Sequence, residues 1–233
     1  MNIIGNISKA FKETLNAPRQ RRQDRELFLG AFINGAWPLV RELVEKYPDA
    51  VAWRDEEGST ALHYAAVHRN AKIIHYLLDH GADIEAADKN GFRALHHAAQ
   101  CAGGEPTAAL LALLGRGASI EARNNNGTTP LMHAMLRNNP WNVRELIVAG
   151  ADEKAADNAG HTPLGEARQM RGAAPMLYAA IEDGKAERLR RAEEERLLIQ
   201  EEMRQAIIRE AVASIGNGLD SDLAVMKPVR LAK

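Results

Sequence analysis

A motif of about 33 residues recurs along the middle of the chain and restricts the possible folds more than any other feature. Its copies begin at Asp55, Asp88, Asn124 and Asp157, so that successive starts lie 33, 36 and 33 residues apart. One unit of this size cannot bury its own apolar side, whereas stacked units form a continuous core. Every copy carries a glycine, a leucine and an alanine at fixed offsets, and these are Gly58, Gly91, Gly127 and Gly160, Leu62, Leu95, Leu131 and Leu164, and Ala65, Ala98, Ala134 and Ala167.

Local signals predict two helices and a tight turn in each copy. An aspartate or asparagine followed three positions later by glycine is typical of a turn. The pair Thr129-Pro130 then favours the start of a helix, with threonine as the cap and proline in the first turn. A second helix is predicted over residues such as 71–79, and Gly81 is expected to end it in the left-handed conformation. The chain is therefore predicted to be an all-α stacked solenoid.

The start of the first helix carries a recognisable sequence in every copy. It reads TALHYAA at 60–66, RALHHAA at 93–99, TPLMHAM at 129–135 and TPLGEAR at 162–168. This pattern resembles the core T-P-L-H-x-A-A of the ankyrin repeat family. The resemblance implies helix-turn-helix repeats joined by β-hairpin-like turns, and protein binding without chemistry. We count about five repeats, the first of them a degenerate capping repeat, at 23–54, 55–87, 88–123, 124–156 and 157–184.

The segments that flank the repeats differ from them in composition. Residues 1–22 form an amphipathic arm that is expected either to dock on the repeats or to bind a membrane surface or partner. Residues 185–215 are predicted to form a charged helix with pairs such as Glu187 and Arg191 four positions apart. This helix could cap the solenoid, pair weakly with a second copy through 189–215, or dock on another protein. Glycines at 216 and 218 are expected to end it, leaving 216–233 as a tail.

Composition excludes several function classes. With 30 basic and 31 acidic side chains the chain is not uniformly basic, so a nucleic-acid partner is not expected. The single cysteine, Cys101, argues against a disulfide scaffold and for a reducing compartment. No apolar run approaches the ~18–20 residues of a membrane span. We expect a cytoplasmic protein, with a secreted effector that lacks an N-terminal signal as the alternative.

No pattern in the sequence indicates catalysis. The chain lacks a phosphate-binding glycine loop, a GxSxG motif and an HExxH motif, so that no catalytic residue, metal or cofactor is expected. Cys101 follows His96 and His97, but no third orienting group is evident. His63 and His96 occupy the histidine position of the repeat, where the resemblance implies hydrogen bonds to the backbone that fix the turn.

The resemblance also implies where a partner binds, namely the hairpin tips and the concave face of the first helices. Phe92 is expected at a tip without a core to fill, as an exposed anchor beside Arg93, Arg123 and Arg137. The alternative is that Phe92 packs against a neighbouring hairpin. The acidic excess of residues 26–183, 20 against 14, favours a basic partner or association with the arm. The candidate partner-binding residues are Phe92, Arg93, His68, Gln100, Arg123, Asn126, Arg137 and His161.

We therefore expect a non-enzymatic adaptor that binds another protein. Two alternatives remain open at this point. One is a host-directed secreted effector, and the other is a regulatory or inhibitory subunit that binds an enzyme.

Overall fold

The structure is a computed structural model that describes residues 23–32, 34–101, 108–165 and 174–225, the stretch 211–225 as backbone. These residues contain helices joined by turns, and none of them forms a strand. The all-α class and the stacked solenoid are thus confirmed. The helices are α1 at 23–32, α2 at Trp37–Lys46, a 3-10 helix at Pro48–Ala52, α3 at Ala61–Val67, α4 at Ala71–Asp79, α5 at Ala94–Ala99, α6 at Ala108–Gly115, α7 at Pro130–Leu136, α8 at Pro140–Ala149, α9 from 163 and described to 165, and α10 at Ala174–Val225.

The helices form two layers along the stack. The inner helices α3, α5 and α7 pack in sequence against one another, and the outer helices α4, α6 and α8 form a second row behind them. The repeated residues of the sequence motif lie between the layers. Each repeated leucine of α3, α5 and α7 is about 1% exposed and each repeated alanine is fully buried, because the small side chain lets neighbouring helices approach; these residues are Leu62, Leu95 and Leu131, and Ala65, Ala98 and Ala134.

The turn at the start of each repeat is built by one side chain. The Oδ1 atom of Asp55 accepts hydrogen bonds from the backbone N–H groups of Glu57 and Ser59, at 2.9 and 2.8 Å. The same pair of bonds is made by the residues at the equivalent starts, which are Asp88, Asn124 and Asp157. Because the turn needs a left-handed residue, glycine follows three positions later, as at Gly58 with a φ of +80°.

Backbone hydrogen bonds connect consecutive turns into a ladder. The N–H of Asn125 donates to the carbonyl of Asn90 at 3.0 Å, and the N–H of Asn158 donates to the carbonyl of Asn126 at 3.0 Å. Consecutive turns therefore approach so closely that a Cβ at Gly127 would come within 2.8 Å of the backbone nitrogen of Asn158. Glycine at this position is required by both the backbone angle and the space.

Aromatic side chains close the N-terminal end of the stack. Phe28 and Phe32 of α1 are fully buried, and the ring of Phe28 packs edge-on against that of Trp53 with centroids 5.2 Å apart. Beside them Asp24 is buried and accepts hydrogen bonds from Lys46 Nζ at 2.6 Å and from the Tyr47 hydroxyl at 2.8 Å. The first repeat thus replaces the small residues of its neighbours with bulky ones.

The last helix differs from its predicted bounds. The chain divides into two compact units, one up to Lys185 and one from Ala186, and α10 runs from Ala174 to Val225 rather than over 185–215. Gly184 lies inside α10, and a Cβ there would come 2.9 Å from the carbonyl oxygen of Arg144 in α8. It is a packing glycine within the first unit.

The glycines predicted to end the helix at 216 and 218 also lie within α10. Glycine in a helix interior costs about 1 kcal/mol relative to alanine, which weakens a helix without forbidding it. The expected tail at 216–233 is therefore helical as far as Val225, and its last eight residues lie outside the described part, as do residues 1–22.

The second unit carries charged pairs and exposed apolar side chains. Glu187 accepts a hydrogen bond from Nε of Arg191 at 2.8 Å, which confirms the pair expected four residues apart. Within the described residues, no helix is both long and apolar enough to cross a bilayer. Among the side chains of this unit that the structure describes, the large apolar ones that are exposed are Leu189, Leu197, Leu198, Ile199, Met203, Ile207 and Ile208.

Candidate protein-interaction surface

The histidines that recur in the motif, His63 and His96, connect neighbouring repeats. The Nδ1 atom of His63 accepts the N–H of Thr60 at 3.0 Å, so the hydrogen is on Nε2, which donates to the carbonyl of Phe92 at 3.0 Å. His96 repeats the arrangement with Arg93 and Thr128, each at 3.1 Å. Both rings are therefore used for backbone contacts, as the repeat pattern implies, and neither is available to a ligand.

Phe92 lies in a cluster of rings rather than standing alone. Its centroid is 5.0 Å from that of His133, 5.5 Å from that of His97 and 5.6 Å from that of His96. The side chain is half-buried. The premise that Phe92 has no core to fill is wrong, because the next repeat brings His133 against it.

The histidines around Phe92 are held in the neutral form. Burial lowers the pKa of His96, His97 and His133 to about 4. The positive charge of Arg137 further lowers the pKa of His133, and Asp88, with Oδ2 3.6 Å from Nε2 of His97, acts in the opposite direction on His97. The cluster is therefore uncharged at neutral pH. Among the described residues, no group of three or more possible ligands is placed to hold a metal ion.

Two of the candidate partner-binding residues are arginines that connect consecutive turns. Nη1 of Arg93 donates to the carbonyl of Arg123 at 3.1 Å, and Nε of Arg93 lies 2.9 Å from the Glu85 carboxylate without the alignment of a hydrogen bond. Nη1 of Arg123 donates to the carbonyls of Gly127 at 3.1 Å and Ala156 at 2.6 Å. These guanidinium groups each join two consecutive repeats and are already engaged.

Two further arginines make equivalent contacts that the sequence reasoning did not identify. Nη1 of Arg54 donates to the carbonyls of Gly58 at 2.8 Å and Ala87 at 2.5 Å, and Nη2 of Arg25 donates to the carbonyl of Arg54 at 3.1 Å. The available signal was positional, since Arg54 and Arg123 both directly precede the first residue of a repeat.

Other candidates lie on the exposed tips of the turns. Asn126 is exposed, and its backbone carbonyl accepts the N–H of Asn158. His161 is exposed, with Nδ1 3.3 Å from Oδ2 of Asp157. Both side chains are therefore accessible to solvent at the turn tips.

The remaining candidates lie at the other end of the inner helices. His68 is exposed beside Trp37, with ring centroids 5.4 Å apart, and Arg137 is exposed one position beyond α7. Gln100 is half-buried and donates from Nε2 to Nδ1 of His97 at 3.0 Å. The eight candidates therefore fall into two groups, at the turn tips and at the ends of the inner helices.

Two apolar side chains accompany the second group and were not among the eight. Val67 at the end of α3 is 47% exposed, and Leu136 at the end of α7 is 46% exposed. They occupy the same position in their repeats, seven residues after Thr60 and Thr129. Exposed apolar side chains on a shared face are a common mark of a binding surface.

Comparison with known proteins agrees with this architecture. A family model described as ankyrin repeats in three copies matches the chain over residues 27–124 and again over 95–187, which together cover more than half of it. The matched region coincides with the stacked helices, and ankyrin repeats themselves are not catalytic.

The relatives that are similar to this chain carry very different names. Palmitoyltransferase AKR1 of Lachancea kluyveri is 32% identical over 66% of this chain and 21% of its own length, through the ankyrin region. The ankyrin repeat and SAM domain-containing protein 6 of Rattus norvegicus is 44% identical over 28% of the chain and 7% of its own length. The RelA-associated inhibitor of Mus musculus is 34% identical over 37% of the chain and 11% of its own length.

The chain thus spans about a fifth or less of the length of these relatives. What they have in common with it is the repeat itself. The stacked helices, the histidine and arginine contacts between repeats, and the match over 27–187 lead to one conclusion: this chain belongs to the ankyrin repeat family.

Proposed function

We propose that the chain is a non-enzymatic adaptor that binds another protein through the tips of its turns and the concave face of its inner helices, in the cytoplasm. One observation carries the proposal most. The inner helices complete a core, and yet Val67 and Leu136 remain about half exposed at equivalent positions beside exposed polar side chains. Burial of such side chains by a partner gains about 25 cal/mol per Å² of apolar surface.

In this proposal, some of the candidate residues stabilise the stack of repeats and the others contact the partner. Arg93 and Arg123 bond to backbone carbonyls, so their replacement would disturb the stack as well as a partner. His68, Asn126, Arg137 and His161 are exposed, and they carry the contacts with a partner. Phe92 contributes its exposed edge.

Native pull-down tests the adaptor role. The tagged full chain is used to capture proteins from a native lysate of the source cells, beside an Arg137→Glu variant and an Asn126→Arg variant. Lys72→Glu, on the exposed side of α4, is the matched control. We expect a stoichiometric partner with the wild type and the control, and its loss with one or both variants at unchanged melting temperature. A partner retained equally by all four proteins would contradict the proposed surface.

A regulatory role is the second candidate, and one observation favours it. The relative named RelA-associated inhibitor is 34% identical over 37% of this chain, so a similar repeat block occurs in a protein named for inhibition. Here the captured partner would be an enzyme, and the purified chain would lower its activity at a one-to-one ratio. An activity unchanged by saturating chain would exclude this role.

We further propose weak self-association through residues 189–215. The exposed apolar side chains of this segment support it, because exposed apolar residues in a helix gain stability by pairing. Sedimentation velocity of the full chain and of an Ile199→Lys, Ile207→Lys variant measures it. A sedimentation coefficient that rises with concentration only in the wild type is expected, and a coefficient independent of concentration in both would overturn this proposal.

A further inference from the structure

Three inner-helix ends form one continuous surface. Sγ of Cys101 lies 3.7 Å from the carbonyl oxygen of Val67 in the preceding repeat, and Nδ2 of Asn139 in the following repeat donates to the carbonyl of Cys101 at 2.7 Å. The ends of α3, α5 and α7 therefore follow one another along the stack. We use the name turn surface for the side chains at these helix ends, which are distinct from the turn tips at the other end of the inner helices. The turn surface comprises Val67, His68, Gln100, Leu136 and Arg137.

The turn surface differs in charge from the rest of the repeats. None of the described residues at these helix ends, 66–70, 99–101 and 135–139, is acidic, whereas the repeats as a whole carry an acidic excess. Arg137 is exposed beside Leu136, and His68 and Arg69 are exposed beside Val67. The positive charge of Arg137 also lowers the pKa of the neighbouring His133. Each exposed apolar side chain is thus accompanied by a basic one.

We propose that the turn surface binds an extended acidic segment of the partner that carries two large apolar side chains, an inference that rests on the adaptor role proposed above. Local charge rather than the net charge of the repeats selects the partner, because charges more than a Debye length away are screened, about 8 Å at physiological salt. The partner's carboxylates lie against Arg137 and His68, and its apolar side chains cover Leu136 and Val67.

The spacing of the surface sets the spacing of the partner's apolar residues. Val67 and Leu136 are two helices apart, and packed helices are separated by about 8–10 Å, which gives roughly 16–20 Å between them. An extended chain advances about 3.3 Å per residue. The two apolar side chains of the partner are therefore about five or six residues apart.

Selection from a phage-displayed library of random 12-residue peptides tests the inference on the full chain. We expect enriched peptides to be acidic, with two of Leu, Ile, Phe or Trp five or six residues apart. Fluorescence anisotropy of one enriched peptide then compares variants. Arg137→Glu and Leu136→Asp are expected to weaken binding at least about tenfold, and Arg137→Glu also to reduce its salt dependence.

Matched controls lie on the outer helices. Leu111 of α6 is 45% exposed, close to the value for Leu136, and Lys72 of α4 is exposed. Leu111→Asp and Lys72→Glu are expected to leave the affinity within about twofold. Melting temperatures of all four variants show whether any loss reflects unfolding.

Three results would overturn the inference. Enriched peptides could be basic or neutral, the affinity could be indifferent to Arg137→Glu, or no peptide could be enriched. If peptides instead lose affinity only with Asn126→Arg at the turn tip, the adaptor role stands while the turn surface is excluded. If the native pull-down also recovers no partner, the adaptor role itself fails.

Discussion

The Nε2 atom of His96 donates a hydrogen bond to the carbonyl oxygen of Thr128, 3.1 Å away in the next repeat. Because Nδ1 of the same ring accepts the N–H of Arg93, one neutral imidazole satisfies the backbone of two repeats. His63 makes the same connection one repeat earlier. In the following repeat Met132 stands at this position, and its N–H donates to the hydroxyl of Thr129.

Removal of the His96 ring should destabilise the stack. His96→Ala leaves the N–H of Arg93 and the carbonyl of Thr128 without these partners in a buried place, and we expect a loss of about 2–3 kcal/mol in the free energy of unfolding. Urea denaturation measures it. The control is His75→Ala on the exposed side of α4, which should cost less than about 0.5 kcal/mol. Equal losses in the two variants would refute the bridging role of His96.

Stability should depend on pH because three histidines are neutral in the folded state. The pKa of His96, His97 and His133 is about 4 when folded and about 6.5 when unfolded. Above pH 6.5 both states are neutral and stability is constant. As the pH falls towards 4 only the unfolded state gains protons, so stability decreases by up to about 1.4 kcal/mol per pH unit for each histidine.

Urea midpoints between pH 7.5 and 5 measure this effect above the range in which most carboxylates titrate. Arg93 and Arg137 oppose protonation of the cluster, while Asp88 favours it at His97. A His133→Gln variant removes one of the three groups, so its midpoint should fall less steeply with decreasing pH. A midpoint that stays constant or rises from pH 7 to 5 would show that the cluster is not neutral in the fold.

A pair of glycines separates backbone strain from crowding. Gly117 and Gly127 have similar φ angles of +82° and +77°, but a Cβ at Gly117 has no atom within 4 Å, while one at Gly127 would lie 2.8 Å from the Asn158 nitrogen. Gly117→Ala should cost about 1 kcal/mol through strain alone. Gly127→Ala should cost at least about 1–3 kcal/mol more, because the ladder between the turns must open. Thermal denaturation compares them, and equal costs would mean that consecutive turns are not in close contact.

A second glycine pair tests the packing of α10 on α8. Gly30 and Gly184 both lie in helices, where replacement by alanine usually stabilises by about 0.4–1 kcal/mol. A Cβ at Gly30 has no atom within 4 Å, whereas one at Gly184 would come 2.9 Å from Arg144 O and from Ile147 Cβ. Gly30→Ala should therefore raise the melting temperature and Gly184→Ala should lower it. A rise with both variants would show that α10 does not approach α8.

Much of the fold follows from the repeat because its positions have fixed physical roles. The aspartate or asparagine of each turn, the left-handed glycine and the buried leucine were all placed from their spacing. The role of His63 and His96 also followed from their position in the repeat.

Features that depend on contacts between different parts of the chain could not be predicted from positions within one repeat. Phe92 was expected to be exposed because a turn tip was given no core to fill, but His96 and His97 of its own repeat and His133 from 41 residues further along the chain pack against it. The arginine contacts escaped notice because only two of the four repeat starts are preceded by arginine. The start of the last helix at residue 185 was wrong because Gly184 lies inside α10, where its lack of a side chain lets that helix approach α8.

The most direct test of the account is where a bound partner touches the chain. A photo-crosslinking amino acid is placed at Leu136 on the inner face or at Leu111 on the outer face, in the full chain expressed in its source cells. The two sites are 46% and 45% exposed, so their reactivity towards a passing protein is matched. We expect a discrete crosslinked partner from Leu136 and none from Leu111. A partner crosslinked from Leu111 alone would contradict the proposal that the inner face binds another protein.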